Sequence, residues 1–252
     1  MSDRLRGLTP PLDGRSFRWS VGTRSIPFNE WLCPADATDE LMAQKDQLFE
    51  NDHDEVVVQL AGSEAACDEL LALVRDFVAT EDLDDDPQMS AIEQCGRLAA
   101  EDFCVLQKDH AGDWRMTAAC VCFPSRWNLR SKLGQSLREI HGPVPHYEDR
   151  LGVAVDRLFT RIPTDQLLGR SNWTLLNTDQ RHLPAQECGT GEAHWLRIER
   201  QTLRRLPDSD AIVFTILTRI THLDDLDESD RQLLGQTIGT APADVKLYKG
   251  WH

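Results

Sequence analysis

The sequence predicts an α+β fold: a five-stranded antiparallel sheet with helices on one face and an N-terminal helical extension. Three observations lead there. Helical periodicity dominates the first hundred residues, with Leu70, Leu71, Leu73, Val74, Phe77 and Val78 forming a broad apolar stripe. Two β-like runs then flank the turn His110–Asp113, which reads as a hairpin. Two further helical segments intervene before three more β-like runs, so the third strand is reached by a helical crossover. Residues 1–100 read as an arm and helical extension packed on a core of residues 101–252, together one compact domain.

Taken in order, residues 1–34 are extended and rich in prolines, yet Phe17, Trp19, Phe28 and Trp31 are too many aromatics for a free tail. This arm is expected to cover apolar surface. Helices are expected over 35–49, 63–79 and 90–100, with Val56–Val58 either a short strand or a turn. Between the second and third of these helices lies the acidic run 81–86 (EDLDDD). It could offer oxygens to a hard cation, but it lacks the glycine and closing glutamate of a calcium loop and reads more simply as a solvated loop.

Strands are expected at 103–108 and 114–123. On the second, Met116, Ala118, Cys120 and Cys122 share one face and Thr117, Ala119, Val121 and Phe123 the other. Both faces are mostly apolar, so this strand is central or covered on both sides. From Leu129 the apolar residues Leu133, Leu137 and Ile140 recur at helical spacing, with Ser125 placed to cap the helix. Gly142, Pro143 and Pro145 end it. His141 is thereby held at a helix C-terminus beside a stiff Pro-Val-Pro turn, which suits a metal or iron ligand or a simple helix cap. A further helix follows at 146–159, then strands at 172–177, 194–203 and 211–221, a last helix at 224–237 and an aromatic, charged tail.

Composition narrows the function. Of 252 residues, 40% are hydrophobic, enough for a core that needs no staples. Lys plus Arg number 27 against 42 Asp plus Glu, a net charge of −15. Such a surface argues against binding nucleic acid or anionic membranes, which need a positive field. No apolar run approaches the length that crosses a bilayer, and the polar, proline-broken start is no signal peptide. Seven scattered cysteines without a CxxC pair read as reduced thiols in a cytoplasmic protein. Cys120 and Cys122 could give two thiolates to zinc, but no second pair matches them, and buried cysteines commonly act as small apolar residues. No glycine-rich nucleotide loop, GxSxG or HExxH is present.

Several motifs carry a resemblance. FPSRW at 123–127, KLG at 132–134, IHGPVP at 140–145, RSNW at 170–173, RIERQTLRRLP at 197–207 and FTI at 214–216 resemble the signatures of the DUF3445 family, which is similar to the α subunit of haem-dependent oxidative N-demethylase. The motifs run from about residue 100 to 220. Near the start, Val21, Gly22 and Thr23 stand where the family usually has Met-Gly-Leu. The resemblance implies a PAS-like fold and a b-type haem held by a histidine between sheet and helices. It also implies oxidative demethylation of a small methylated amine with O₂ and electrons from a flavin and iron–sulfur NAD(P)H reductase, releasing formaldehyde. His141, inside the motif, is the first choice for the iron ligand, His194 the second and His146 the third.

The same strands supply the remaining candidates. Should Arg197, Glu199 and Gln201 face inward, they form a polar strip in which a buried carboxylate could hold an ammonium substrate. The alternative is a cross-strand pair of Glu199 with Arg200 or Arg219 on an exposed face. Arg170, with Asn172 and Trp173, could grip haem propionates, as could Arg126; each arginine could equally stabilise a turn or strand end. Three functions remain open: a haem enzyme, a haem sensor or carrier of the same fold, and a haem-free binding module.

Overall fold

The structure is a computed structural model and describes residues 16–79, 89–185 and 192–251. The acidic run at 81–86, Cys188, Gly189 and Gly191 lie outside the described residues.

One antiparallel sheet organises the chain. Its strands are β1 (Arg24–Ile26), β2 (Val57–Gln59), β3 (Asp102–Lys108), β4 (Trp114–Cys120), β5 (Leu167–Leu176), β6 (Trp195–Arg205) and β7 (Ile212–His222). They lie in the order β1-β5-β6-β7-β3-β4-β2, so the sheet has seven strands, not the expected five. The five long strands match the five expected ones, with two shifts of boundary: β4 ends at Cys120 and not at 123, and β5 begins at Leu167, five residues before the expected start at 172. The two additions are three-residue edge strands, too short to show a period of two, and β1 pairs only with Leu167–Gly169 of β5.

Helices cover both faces of the sheet, which corrects the one-face expectation. On the first face, Phe103, Val105, Ala118, Cys120, Val213 and Leu217 share a buried cluster with Leu41 and Phe49 of α1 (Asp39–Asn51). Leu70 and Val74 of α3 (Glu64–Val78) and Ile92 of α4 (Ala91–Leu98) join it, while the one-turn α2 (His53–Val56) leads into β2. On the second face, Cys104, Leu106, Ala119, Leu203 and Ile212 pack with Leu137 of α5 (Leu137–His141) and with Val155 and Phe159 of α6 (Val153–Arg161). Strands apolar on both faces require this double cover. A bulge interrupts the predicted face of β4: Val105 pairs with Ala118 and Leu106 with Met116, so Thr117 is the extra residue and Met116 turns to the second face.

The region predicted as one helix ending at His141 is broken. A single 3-10 turn spans Arg130–Lys132, Gly134 adopts φ 77°, and α5 starts afresh at Leu137. Its cap is a reciprocal box between Ser136 and Glu139, not Ser125. Gly142 keeps right-handed helical angles. The next helix begins with a π turn, Glu148–Gly152, and continues as α6. The helix expected at 224–237 is α7 (Glu228–Thr240), capped by Asp227, and the expected tail forms one more, α8 (Ala243–Lys249), closed by Gly250 at φ 66°. The arm packs where its aromatics direct it: Trp31 is fully buried against Phe77 and the Arg204 guanidinium.

Candidate functional site

Registers in the middle of the sheet set the site. Arg170 faces Gln201, Asn172 faces Glu199 and Thr174 faces Arg197 across β5 and β6. Alternation puts all six on the second face, with Thr218 of β7 beside Glu199. The strip therefore faces inward, and Arg197, Glu199 and Gln201 are buried.

Arg197 donates to Glu199 Oε1 at 3.0 Å, the Arg181 carbonyl at 2.9 Å, the Phe123 carbonyl at 2.5 Å and Thr218 Oγ1 at 3.0 Å. Glu199 Oε2 accepts from Asn172 at 3.2 Å and Gln201 at 3.0 Å. Burial pushes this carboxyl's pKa up, but Arg197 and the Asn172 amide outweigh burial and hold it below its ordinary value. The partner of Glu199 is thus Arg197, two residues along its own strand. The cross-strand alternatives are engaged elsewhere: Arg200 donates to the Trp31 and Glu30 carbonyls, and Arg219 binds Asp36 at 2.7 and 2.6 Å.

A cation that the sequence reading missed completes the strip. Lys249, at the end of α8, donates to Asn172 Oδ1 and to the Trp173 carbonyl. Burial lowers its pKa to about 8, opposed by Glu199 and reinforced by Arg170 and Arg126. Its own carbonyl accepts from Thr174, and Trp251 stacks on Trp173 with ring centroids 4.1 Å apart. Arg126, at φ 63°, donates to the carbonyls of Tyr248 and Leu175 and so clasps this segment from the other side. The missed signal was Lys249-Gly250-Trp251, where Gly250 ends the helix so that a lysine and a tryptophan can insert together.

His141 lies under the same face. Its Nδ1 lies 2.8 Å from the Leu137 carbonyl, so this nitrogen carries the proton and Nε2 keeps its lone pair. The ring stacks on Tyr147, centroids 4.6 Å apart and planes within 6°. Burial lowers the imidazole's pKa, the Leu137 carbonyl opposes this, and Arg170 and Lys132 lower it further. The free imidazole is therefore neutral near pH 7. Lys132 itself donates to the Ile140 carbonyl at 3.0 Å.

The other histidines stand apart. His146 is exposed, binds Asp244 at 2.7 Å and lies edge-on to Trp19. His194 is exposed and stacks with His222. Trp173 belongs to the opposite face, in a cluster with Leu175, Leu196 and Ile198. Cys120 and Cys122 are fully buried, and burial pushes the Cys122 thiol well up. Among the described residues no group of three or more His, Cys, Asp or Glu could hold a metal ion, and no helix is long and apolar enough to cross a membrane.

Several buried polar atoms around this face lack a partner: Arg170 Nε, Tyr147 Oη and Gln201 Oε1. Arg170 is held below its ordinary pKa by burial, against the pull of Glu199. Unsatisfied buried groups are few in native proteins and call for an explanation, a ligand among them. A neutral histidine with one lone pair to offer, near the Arg170 and Lys132 charges, is a donor set compatible with an iron-bearing group that carries carboxylates.

A family model described as haem-dependent oxidative N-demethylase, alpha subunit-like, matches residues 78–252, and the chain belongs to that family. The matched span holds α4 to α8, the five long strands and every residue of the site.

Proposed function

We propose that, as a member of this family, the chain binds a b-type haem through His141 in a PAS-like core made by its five long strands, and serves the oxidative N-demethylation of a small methylated amine. In balance, the amine N–CH₃ group, O₂, two electrons and two protons give the N–H amine, formaldehyde and water. The electrons come from a reductase partner carrying flavin and iron–sulfur groups, whose docking the net charge of −15 suits if its contact face is basic. When bound, the haem supplies the oxygen chemistry; the protein supplies its ligand, its pocket polarity and access.

One observation carries the reading: the His141 Nδ1 proton is tied to the Leu137 carbonyl, which fixes the tautomer and leaves the lone pair on Nε2. Metal-bound histidines are usually oriented in this way. Stacking on Tyr147 holds the ring plane. Arg170 is the arginine offered to a propionate, from the strand that also carries Asn172 and Trp173, while Arg126 is engaged on the Tyr248 and Leu175 carbonyls and holds α8 in place. Arg197 positions Glu199, whose Oε2 would accept an amine N–H in exchange for one of its two amide contacts.

A second reading, a haem carrier without turnover, draws on the same residues. It is favoured by the closure of Glu199, whose two oxygens already accept from Arg197, Asn172 and Gln201.

The tests are direct. Protein as isolated, or after adding haemin, should show a Soret band that His141→Ala abolishes and that His194→Ala and His146→Ala leave in place. Formaldehyde release from dimethylamine with reductant and O₂ separates the enzyme from the carrier. A colourless protein that takes up no haemin refutes both readings.

A further inference from the structure

The charges on the second face do not cancel. Glu199 is neutralised by Arg197 at 3.0 Å, and its second oxygen is filled by two amides. Two more cations remain on this face, the half-buried Arg170 and Lys249. Both feel the charge of this same Glu199 carboxylate. Among the described residues the Arg170 side chain has its Nε buried without a hydrogen-bond partner. Lys249 has only a side-chain amide oxygen and a backbone carbonyl as acceptors. A cation partly withdrawn from water without a counter-charge of its own is unfavourable, so two of them on one face favour an anionic partner.

The placement is specific. Arg170 and Asn172 are two residues apart on β5 and share a face, which spaces them about 7 Å along the strand. Lys249 is anchored on Asn172, so the two cations stand side by side. Gly250 makes the approach possible: a Cβ there would come within 2.9 Å of the Arg126 guanidinium and of the Leu175 carbonyl.

We propose that Arg170 and Lys249 form a cradle for a ligand bearing two carboxylates, one cation to each, and that α8 is the element that carries the second cation into the site. In part this deepens the haem reading, since haem propionates are one source of such carboxylates; a free dicarboxylate is the other.

Ligand-free protein is titrated with haemin and with haemin dimethyl ester, followed at the Soret band, and separately melted with and without succinate. Charge-assisted bonds to two carboxylates should favour haemin over its ester by about a hundredfold. Lys249→Met and Arg170→Met should each remove about tenfold of that preference while leaving ester affinity unchanged, and Lys249→Arg should restore part of it. Unchanged ester binding shows that the pocket still stands in the variants. Equal binding of haemin and ester by the wild type overturns the cradle, as does a Lys249→Met variant that keeps the full preference or loses haemin and ester alike. If neither porphyrin binds, the haem reading fails and the succinate arm decides. A rise in melting temperature that both methionine variants lose supports the cradle with a free dicarboxylate, and no rise overturns it.

Discussion

Replacing Arg197 by methionine should be among the most damaging single changes in this chain. Arg197 is fully buried and donates four hydrogen bonds, to Glu199, Thr218 and the carbonyls of Arg181 and Phe123. Methionine fills most of the volume but leaves the Glu199 carboxylate buried without its cation. Breaking a buried pair in this way costs about 3–5 kcal/mol. The loss carries a pH signature. In the wild type the Glu199 pKa is lowered on folding, so its contribution is complete above the unfolded value and is lost only as pH falls through the folded one. Between pH 5 and pH 8 it gives no slope. Without Arg197 the burial effect, already the largest influence on this group, is opposed only by the Asn172 amide and the neighbouring Lys249 charge, and the folded pKa is expected to rise above the unfolded one. A raised carboxyl stabilises below the unfolded pKa and loses that stability as pH rises. Urea unfolding at the two pH values should therefore show a smaller loss at pH 5 than at pH 8. Arg197→Met combined with Glu199→Gln should recover about half, because the stranded charge is gone. A loss under about 1 kcal/mol, a loss equal at both pH values, or a double variant as weak as the single one would refute the reasoning.

Further outcomes follow from the same coordinates. Lys45 is fully buried and donates at 2.8 Å to the carbonyls of Ala99 and Glu101, with Asp102 at 3.9 Å; Lys45→Met should cost about 3 kcal/mol or more in urea, and adding Asp102→Asn should recover part of it. Gly250→Ala places a side chain at φ 66° and within 2.9 Å of two neighbours, so it should cost at least about 1–2 kcal/mol and weaken haemin binding through displacement of Lys249. The Lys249 amine, at about 8 when folded, loses its proton before the unfolded lysine does. The unfolded state then binds more protons, so the ligand-free protein should gain stability as pH rises from about 8 towards the free-lysine value near 10.4, a gain absent in Lys249→Met. Gly96→Ala would set a methyl 2.2 Å from Cys120 Sγ and part α4 from β4, which thermal melting should register as a clear fall.

Which features could be read from the sequence follows from the range over which each is encoded. The long strands were legible because β6 and β7 are eleven residues each and alternate or stay apolar throughout, while β1 and β2, at three residues, carry no period at all. The break before α5 was encoded locally, in Gly134 and the Ser136-x-x-Glu139 cap, but apolar spacing across Leu133, Leu137 and Ile140 bridges it and mimics one helix. Helices on both faces were implicit in the doubly apolar second strand, which no one-face arrangement could cover. The inward strip at Arg197, Glu199 and Gln201 could be posed from alternation, but its pairing could not be chosen. Arg200 and Arg219 lie as close in sequence or register, and they are withdrawn from Glu199 only because Trp31, Glu30 and Asp36 of the arm reach them. Lys249 could not be found in this way, since it lies 50 residues beyond Glu199 and meets the strip only after α7 and α8 have returned the chain to the edge of β5. That return places α8 among the elements of the site: a change in α8 would alter the charge around Glu199 and Arg170 without touching either residue, through Lys249 alone.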